Sequence, residues 1–212
     1  MSAQFDRDCV ACPRLAGFLQ QVRTDYPTYC ARPVPPFGDA KPWLLIVGLA
    51  PGLHGANRSG RPFTGDHAGI LLYQTLHQFG FASQSTSVSA DDALVLQGCR
   101  ITNAVKCLPP ANKPETAEVR QCNHFLAAEI AALPVGAAIL ALGNVAHAAV
   151  LMALELPAKA GKFGHGAIHE LAHSRKLYDS YHCSRYNTQT RRLTTDMFHA
   201  VFARIVADKA QS

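Results

Sequence analysis

The segment WLLIVGLAPGLHGANRSGRPFTGD (43–66) predicts how the rest of the chain folds. Its first six residues are almost entirely apolar, as in a parallel strand that is covered on both faces. A glycine-rich loop follows, with two prolines, two arginines and one carboxylate, and the helical pattern AGILLYQTLHQFG (68–80) comes next. A strand, a loop and a helix in this order indicate an α/β domain.

Three further runs have the length and composition of strands. They are CRITNAV (99–105), AAILALG (137–143) and KLYDSYH (176–182). Each is followed by a helical pattern, and one more helix is predicted before the first strand. The helices are predicted near 13–23, 68–79, 115–132, 144–154 and 195–208. We therefore expect a three-layer α/β sandwich, a central four-stranded parallel sheet flanked by helices, as a single domain over residues 1–212.

Polar loops follow three of the four predicted strands, at 48–66, 103–113 and 182–193. Sheets of this kind bind ligands beyond the carboxyl ends of their strands, so we expect the three loops to meet around one crevice. The first loop has the glycines of a phosphate cradle, but it lacks both the lysine of a P-loop and the spacing of a dinucleotide-binding motif. A common nucleotide-binding loop is therefore not expected.

Composition and charge restrict the classes of protein that fit. The chain has 212 residues, of which 48% are hydrophobic and 17% charged, as in a globular protein. No apolar run approaches the roughly 20 residues of a membrane span, and the N-terminal MSAQFDRDCV lacks the apolar stretch of a signal peptide. We expect a soluble, unexported, cytoplasmic monomer. The net charge of +5 permits a polyanionic partner without requiring one.

The cysteines suggest a metal site. An odd number in an apparently unexported chain argues against a disulfide framework. Cys9 and Cys12 form a C-x2-C pair, and Cys107 and Cys122 form a wider pair. Four thiolates suit either a tetrahedral zinc site or an iron–sulfur cluster, and their spacing alone does not choose between these and buried thiols. The other three are expected to be unliganded: Cys30, Cys99 and Cys183.

Three features of the polar loops each have two interpretations when only the chemistry of their residues is considered. Asp66 either serves a ligand or N-caps the helix from 68, and capping is favoured from the residue alone. Asn103 either reads a ligand through its donor and acceptor or closes a turn. The segment SYHCSRYNTQTRRLT (180–194) is either a solvated connection or a phosphate site, since hydroxyl, amide and arginine side chains suit phosphate.

In combination these features resemble one family. The loop GLAPGLHGANRSGRPFTGD (48–66), the strand end TNAVKCLPP (102–110), the paired cysteines and DSYHCSRYNTQTRRLT (179–194) are similar to family 5 uracil-DNA glycosylases, the B-type enzymes of the uracil-DNA glycosylase superfamily. The resemblance covers nearly the whole chain in the expected order. It implies excision of uracil and other deaminated or damaged bases from DNA, which starts base excision repair. It also implies a structural [4Fe–4S] cluster on Cys9, Cys12, Cys107 and Cys122.

The resemblance implies roles for the loop residues that fit the physics of the reaction. The base must leave the stack, positive charge then grows on the sugar, and negative charge grows on the departing base. The catalytic roles fall to Asp66 beside the sugar and water, His182 beside the leaving base, and Asn103 at the base edge. The base pocket would comprise Gly48, Leu49, Ala50, Phe63, Asn103 and His182. The DNA would be gripped by Arg58, Ser184, Arg185, Tyr186 and Asn187.

Two positions depart from the patterns of relatives. Gly52 replaces the tyrosine that excludes 5-methylpyrimidines in the most uracil-selective relatives, which predicts broad base acceptance. The family's usual H-P-S reads His182–Cys183–Ser184 here, so the turn loses the fixed φ of proline. The main alternative to an enzyme is a metal- or cluster-stabilised nucleic-acid-binding module without catalysis.

Overall fold

A computed structural model describes residues 5–211; residues 1–4 and 212 of the predicted domain lie outside this range. The described chain forms helices on both sides of one sheet. The helices are α1 (Pro13–Asp25), α2 (Ala56–Ser59), α3 (His67–Gln78), α4 (Thr116–Ala131), α5 (Asn144–Ala153), α6 (Arg185–Gln189) and α7 (Thr195–Ala210). The strands are β1 (Phe37–Gly38), β2 (Leu44–Gly48), β3 (Cys99–Asn103), β4 (Ala138–Leu142), β5 (Ile168–Glu170) and β6 (Lys176–Ser180).

The sheet has the strand order β1-β3-β2-β4-β6-β5. The four inner strands are parallel, while β1 and β5 pair antiparallel at the two edges. The predicted α/β class with a parallel sheet is confirmed, but the predicted number of four strands was wrong, because the sheet has six. The two edge strands have only two and three residues, too few to produce a recognisable hydrophobic pattern.

Strand β2 explains why its apolar run is continuous. Leu44 and Ile46 face one core, which the buried side chains of α3 and α7 complete. Leu45 and Val47 face the opposite core, formed with α4 and α5. Because successive side chains of a strand point to opposite faces, both faces of β2 need apolar residues when helices cover both.

Buried polar contacts anchor the loop that follows β2. Arg61 forms an ion pair with Asp92 at 2.6 Å and also donates to the carbonyl oxygen of Ala90. The Tyr73 hydroxyl donates to the carbonyl oxygen of Pro62 at 2.8 Å. Burial raises the pKa of Tyr73 to about 12, so the phenol remains a donor. These contacts hold the loop against α3 and the segment around 87–92.

Several helix ends lie within two residues of their predicted positions because their caps are local. Asp66 caps α3, and Thr194 caps α7 by accepting from the Met197 N–H at 3.2 Å. Glu115 precedes α4 and forms a reciprocal capping box with Glu118. Among the helices of residues 5–211, none is long and apolar enough to cross a membrane.

Candidate active site

A cavity of about 600 Å³ opens at the carboxyl ends of the inner strands. Its walls come from the segments that follow β2, β3, β4 and β6, as the topology of a parallel sheet requires. Asp66, Asn103 and His182 reach it from three of these segments, although 116 residues of sequence separate the first from the last (182 − 66). Most of the wall is apolar, so a flat, weakly polar ligand suits it.

The two carboxylate oxygens of Asp66 face different parts of the backbone. Oδ1 accepts from the Gly69 N–H at 3.0 Å and so caps α3. Oδ2 lies against the loop after β2, where a Cβ added at Gly55 would overlap it and one added at Gly52 would lie 3.7 Å away. Desolvation raises the pKa of Asp66, although the N–H groups of α3 partly oppose this effect. Asp66 therefore both caps the helix and lines the cavity.

Asn103 and Phe63 pack tightly against the end of β2. A Cβ added at Gly48 would overlap Oδ1 of Asn103 and lie 2.7 Å from the Phe63 ring, so glycine allows both side chains to approach the strand. Phe63 has a φ of 53°, an unusual value for an aromatic residue. Within residues 5–211, the buried Oδ1 of Asn103 accepts no hydrogen bond.

His182 follows β6 and lies beside Phe63, with ring centroids 5.8 Å apart and planes inclined by 27°. The residue is half-buried and lines the cavity. Desolvation lowers the pKa of His182 to about 4, so the ring is neutral at physiological pH. The Asn187 amide donates to the carbonyl oxygen of His182 at 2.8 Å and fixes the turn.

The four paired cysteines also meet in space, at the start of α1 and beside α4. Cys12 occupies the N-cap of α1, and Cys122 lies within α4, where its sulfur accepts from the Lys106 N–H at 3.4 Å. Burial raises the pKa of Cys107 to about 12, and interaction with the other three thiols contributes further. These four side chains therefore form one mutually interacting group.

Comparison with known proteins assigns the family. The sequence profile described as the uracil DNA glycosylase superfamily matches residues 35–206. A type-5 uracil-DNA glycosylase of Thermus thermophilus is 46% identical over 197 residues, 90% of this chain and 89% of that protein. The chain belongs to the uracil DNA glycosylase superfamily. The type-5 enzyme of Pyrobaculum aerophilum is 40% identical (95% of this chain, 89% of that protein), and that of Mycobacterium bovis 42% (92% and 75%). The resemblance to family 5 is thus confirmed.

Most of the site residues predicted from the resemblance to family 5 line the cavity. They are Leu49, Ala50, Phe63, Asp66, Asn103, His182, Ser184 and Arg185. Four others lie outside its lining: Gly48, Arg58, Tyr186 and Asn187. Gly48 lies behind Asn103 and Phe63, and Asn187 supports the His182 turn, whereas Arg58 and Tyr186 are exposed. Their roles toward DNA stay predictions.

Several polar lining residues were not predicted from the sequence. They are His54, His67, Asn112 and Asn144. Asn144 begins α5 directly after β4, the one predicted strand to which no polar loop was assigned. The sequence signal for a polar residue at this strand end is the pair Gly143–Asn144. His67 hydrogen-bonds Thr188 at 3.0 Å and thereby ties the start of α3 to α6, a contact with no sequence signal.

A second group with metal-ligand chemistry lies away from the cysteines. His147, His169 and Asp179 bring three ligand atoms within 4.8 Å of one another. The Asp179 carboxylate is fully buried and hydrogen-bonds both rings, at 2.8 Å to Nδ1 of His147 and 3.0 Å to Nε2 of His169. These contacts join α5, β5 and β6, which accounts for the group as a structural network.

The close approach at Gly48 makes a testable prediction. Gly48→Ala is expected to destabilise the protein by roughly 1–3 kcal/mol, because the new methyl group must displace Phe63 or Asn103. Urea unfolding followed by circular dichroism measures the change. The matched control is Gly17→Ala in α1, where an added Cβ meets nothing within 4 Å and alanine is expected to stabilise the helix slightly. Equal stability of the two variants would contradict the packing described.

Proposed function

We propose that this protein is a monomeric, cytoplasmic, single-domain DNA glycosylase of the type-5 group. It flips uracil, and other deaminated or damaged bases, out of DNA and hydrolyses the N-glycosidic bond to leave an abasic site. Membership of the superfamily and the names of the type-5 relatives support this proposal. Gly52 lines the cavity without a side chain, which supports acceptance of several bases.

The observation that carries the proposal is the convergence of Asp66, Asn103 and a neutral His182 in one mostly apolar cavity. A carboxylate, an amide and a neutral imidazole together provide the groups that a cationic sugar and a departing base require. The amide of Asn103 offers an acceptor and a donor side by side, which complements the N3–H and O4 edge of uracil. Phe63 supplies an apolar face for the ring.

The chemistry follows from the separation of charge within the cavity. As the C1′–N bond breaks, the base leaves with the electron pair and the sugar gains oxocarbenium character. The Asp66 carboxylate stabilises that positive charge, orients the water that adds to C1′ and accepts the proton which that water loses. That proton is finally returned to the base anion, so the products are an abasic sugar and a neutral free base. The neutral His182 donates a hydrogen bond to the base oxygen that becomes negative. The carboxylate and the imidazole thus act on opposite ends of the bond.

The segment after His182 supports contact with DNA. Ser184 and Arg185 line the mouth of the cavity, and Arg185 is exposed. Tyr186 is 70% exposed in the same short helix, an unusual position for an aromatic ring and one from which it can stack against unpaired bases. We propose phosphate contacts for Ser184 and Arg185, assisted by Arg58 in the first loop and by Asn187 beside them.

We also propose a [4Fe–4S] cluster on Cys9, Cys12, Cys107 and Cys122. The mutual interaction of the four thiols supports a shared metal site, because buried thiols that repel one another as thiolates need a cationic core. The resemblance to family 5 enzymes favours an iron–sulfur cluster over zinc at this site. When bound, the cluster would link α1 to α4 without entering the reaction.

A nucleic-acid-binding module without catalysis is the rival function. It would account for the cysteines and the basic charge. It would not account for a partly desolvated carboxylate and a neutral histidine in the same cavity. Incubation with a uracil-containing oligonucleotide, followed by alkaline cleavage, separates the two functions. Strand breaks no more frequent than in a no-enzyme control would refute the glycosylase proposal.

Replacement of the carboxylate tests the role of Asp66. Asp66→Asn is expected to lower the single-turnover cleavage rate by roughly two to four orders of magnitude, because the amide cannot stabilise the cationic sugar. Asparagine is itself a good N-cap, so folding and DNA affinity should be retained. The matched control is Thr194→Ala, which removes the cap of α7 and should leave the rate unchanged. A wild-type cleavage rate in Asp66→Asn would show that Asp66 only caps α3 and has no part in catalysis.

The pH dependence tests the protonation state of His182. With its pKa lowered to about 4, the ring is neutral above that pH, and no step in rate is expected near 6.5. Because the pKa of Asp66 is raised, we expect the cleavage rate to rise with pH at the acid end of the pH–rate profile, as the carboxylate ionises. Single-turnover rates from pH 4 to 9, for wild type and His182→Ala, measure this. A step near pH 6.5 that disappears in the variant would contradict a neutral histidine.

Metal analysis tests the cysteine group. Protein purified without oxygen should contain about four irons per chain, with acid-labile sulfide and broad visible absorbance. Cys107→Ser is expected to lose most of the iron and to unfold more readily. Cys30→Ser is the matched control, because Cys30 is half-buried but lies outside the group. Zinc in place of iron in the wild-type protein would overturn the assignment.

A further inference from the structure

His54 occupies an exposed position at the edge of the cavity that the proposed reaction does not use. It lies on the loop after β2 and lines the cavity together with Leu53. Its neighbour Gly55 packs against the carboxylate of Asp66 so closely that a Cβ there would overlap Oδ2. His54 is therefore the sequence neighbour of the residue that packs against the carboxylate assigned to the sugar, and its exposed ring lines the same cavity.

Two tyrosines hold the ring of His54 in one orientation. The Tyr29 hydroxyl lies 2.9 Å from Nδ1 of His54. The rings of Tyr26 and Tyr29 stack with centroids 4.7 Å apart, and His54 stands edge-on to both, inclined by 79° and 88°. These tyrosines are half-buried and belong to the end of α1 and the turn after it. Such packing reduces the rotamer entropy that a histidine loses on binding.

This orientation determines which nitrogen faces a ligand. A phenol is a good donor, and Nδ1 of a neutral imidazole is a good acceptor, so we assign the hydrogen of this bond to Tyr29. Nε2 then carries the ring hydrogen, on the side of the imidazole away from Tyr29. The exposed edge of His54 is consequently a fixed N–H donor, and a donor of this kind suits a phosphate oxygen.

The subsite is separate from the one formed by Ser184 and Arg185. His54 follows β2 and Arg185 follows β6, and β4 lies between these strands. The two side chains therefore line the cavity from different segments of the chain. This arrangement suits two phosphates of one strand, one on each side of the flipped nucleotide.

We propose that His54, positioned by Tyr29, binds a DNA phosphate next to the flipped nucleotide, on a different phosphate from that bound by Arg185. This inference rests on the proposed glycosylase function and adds a second backbone contact to it. His54 binds the substrate, and Tyr29 acts only through His54. The two contacts would hold the strand on both sides of the nucleotide whose base enters the cavity.

Substitution of single phosphates tests this proposal. The probe is a single-stranded oligonucleotide that carries an uncleavable 2′-fluoro-2′-deoxyuridine, with one flanking phosphate at a time replaced by a neutral methylphosphonate. For wild type, replacement at two positions should weaken binding by roughly tenfold each, since hydrogen bonds to charged groups contribute that much. His54→Ala should become insensitive at one of these positions, and Arg185→Ala at the other.

Further variants separate positioning from general damage. Tyr29→Phe should weaken DNA binding less than His54→Ala does, and its effect should be confined to the same phosphate. In the double variant Tyr29→Phe/His54→Ala, the tyrosine substitution should weaken binding no further than His54→Ala alone. The matched control is His77→Ala, an exposed histidine on α3, which should bind as wild type does. If His54→Ala keeps full sensitivity at every phosphate, or if Tyr29→Phe weakens binding equally in the His54→Ala background, the proposal is refuted.

Failure of the His54 proposal can be distinguished from failure of the proposed glycosylase function. Wild type that cleaves an ordinary uracil-containing oligonucleotide, combined with an unchanged phosphate pattern in His54→Ala, refutes the His54 subsite alone. Wild type that binds the probe but cleaves no base refutes the glycosylase function, and the phosphate pattern still decides whether His54 contacts DNA.

Discussion

The position of one carboxylate imposes most of the constraints on this site. Asp66 must present Oδ1 to the first turn of α3 and Oδ2 to the loop after β2. That arrangement requires glycine at 55, where a side chain would overlap the carboxylate, and glycine at 69, where a Cβ would overlap the carbonyl oxygen of Phe63. Because α3, the loop after β2 and Asp66 are joined in this way, the helix dipole and the capping hydrogen bond hold the carboxylate in one position. Desolvation then strengthens its electrostatic interaction with a developing positive charge.

Asn103 and His182, the two side chains proposed to contact the base, carry no formal charge. Asn103 is neutral by nature, and His182 is neutral because desolvation lowers its pKa to about 4. Neutral donors in an apolar cavity bind an uncharged base with little desolvation cost, yet their hydrogen bonds strengthen when the base becomes negative. A cationic histidine would strengthen this contact further, but it would also attract the Asp66 carboxylate across the cavity. The apolar wall thus separates the two side chains proposed to act in catalysis, Asp66 and His182.

The sequence predicts what is periodic and local, and it misses what depends on distant contacts. The apolar run of β2 and the capping residues of α3 and α4 predict those elements closely, because each depends on neighbouring residues. Short elements such as β1 and α6 carry too few residues to show a period. At the site, the residue type of Asp66 favours capping alone, and only the whole motif pattern indicates its second role. The contact between Tyr29 and His54 spans 25 residues and has no signature in either segment.

The replacement of the usual proline by Cys183 shows how the fold compensates for one lost local constraint. Cys183 is completely buried in the core beside α3 and α7, close enough to Asp66 that the carboxylate helps burial to raise the pKa of the thiol. A neutral thiol packs at this position as a small apolar side chain. The turn itself is held from the other side, where the Asn187 side-chain amide donates to the carbonyl oxygen of His182 and Ser184 caps α6 by accepting from the Asn187 backbone N–H. Tertiary packing and side-chain hydrogen bonds therefore supply the rigidity that a fixed proline φ would otherwise provide, and His182 keeps its place against Phe63.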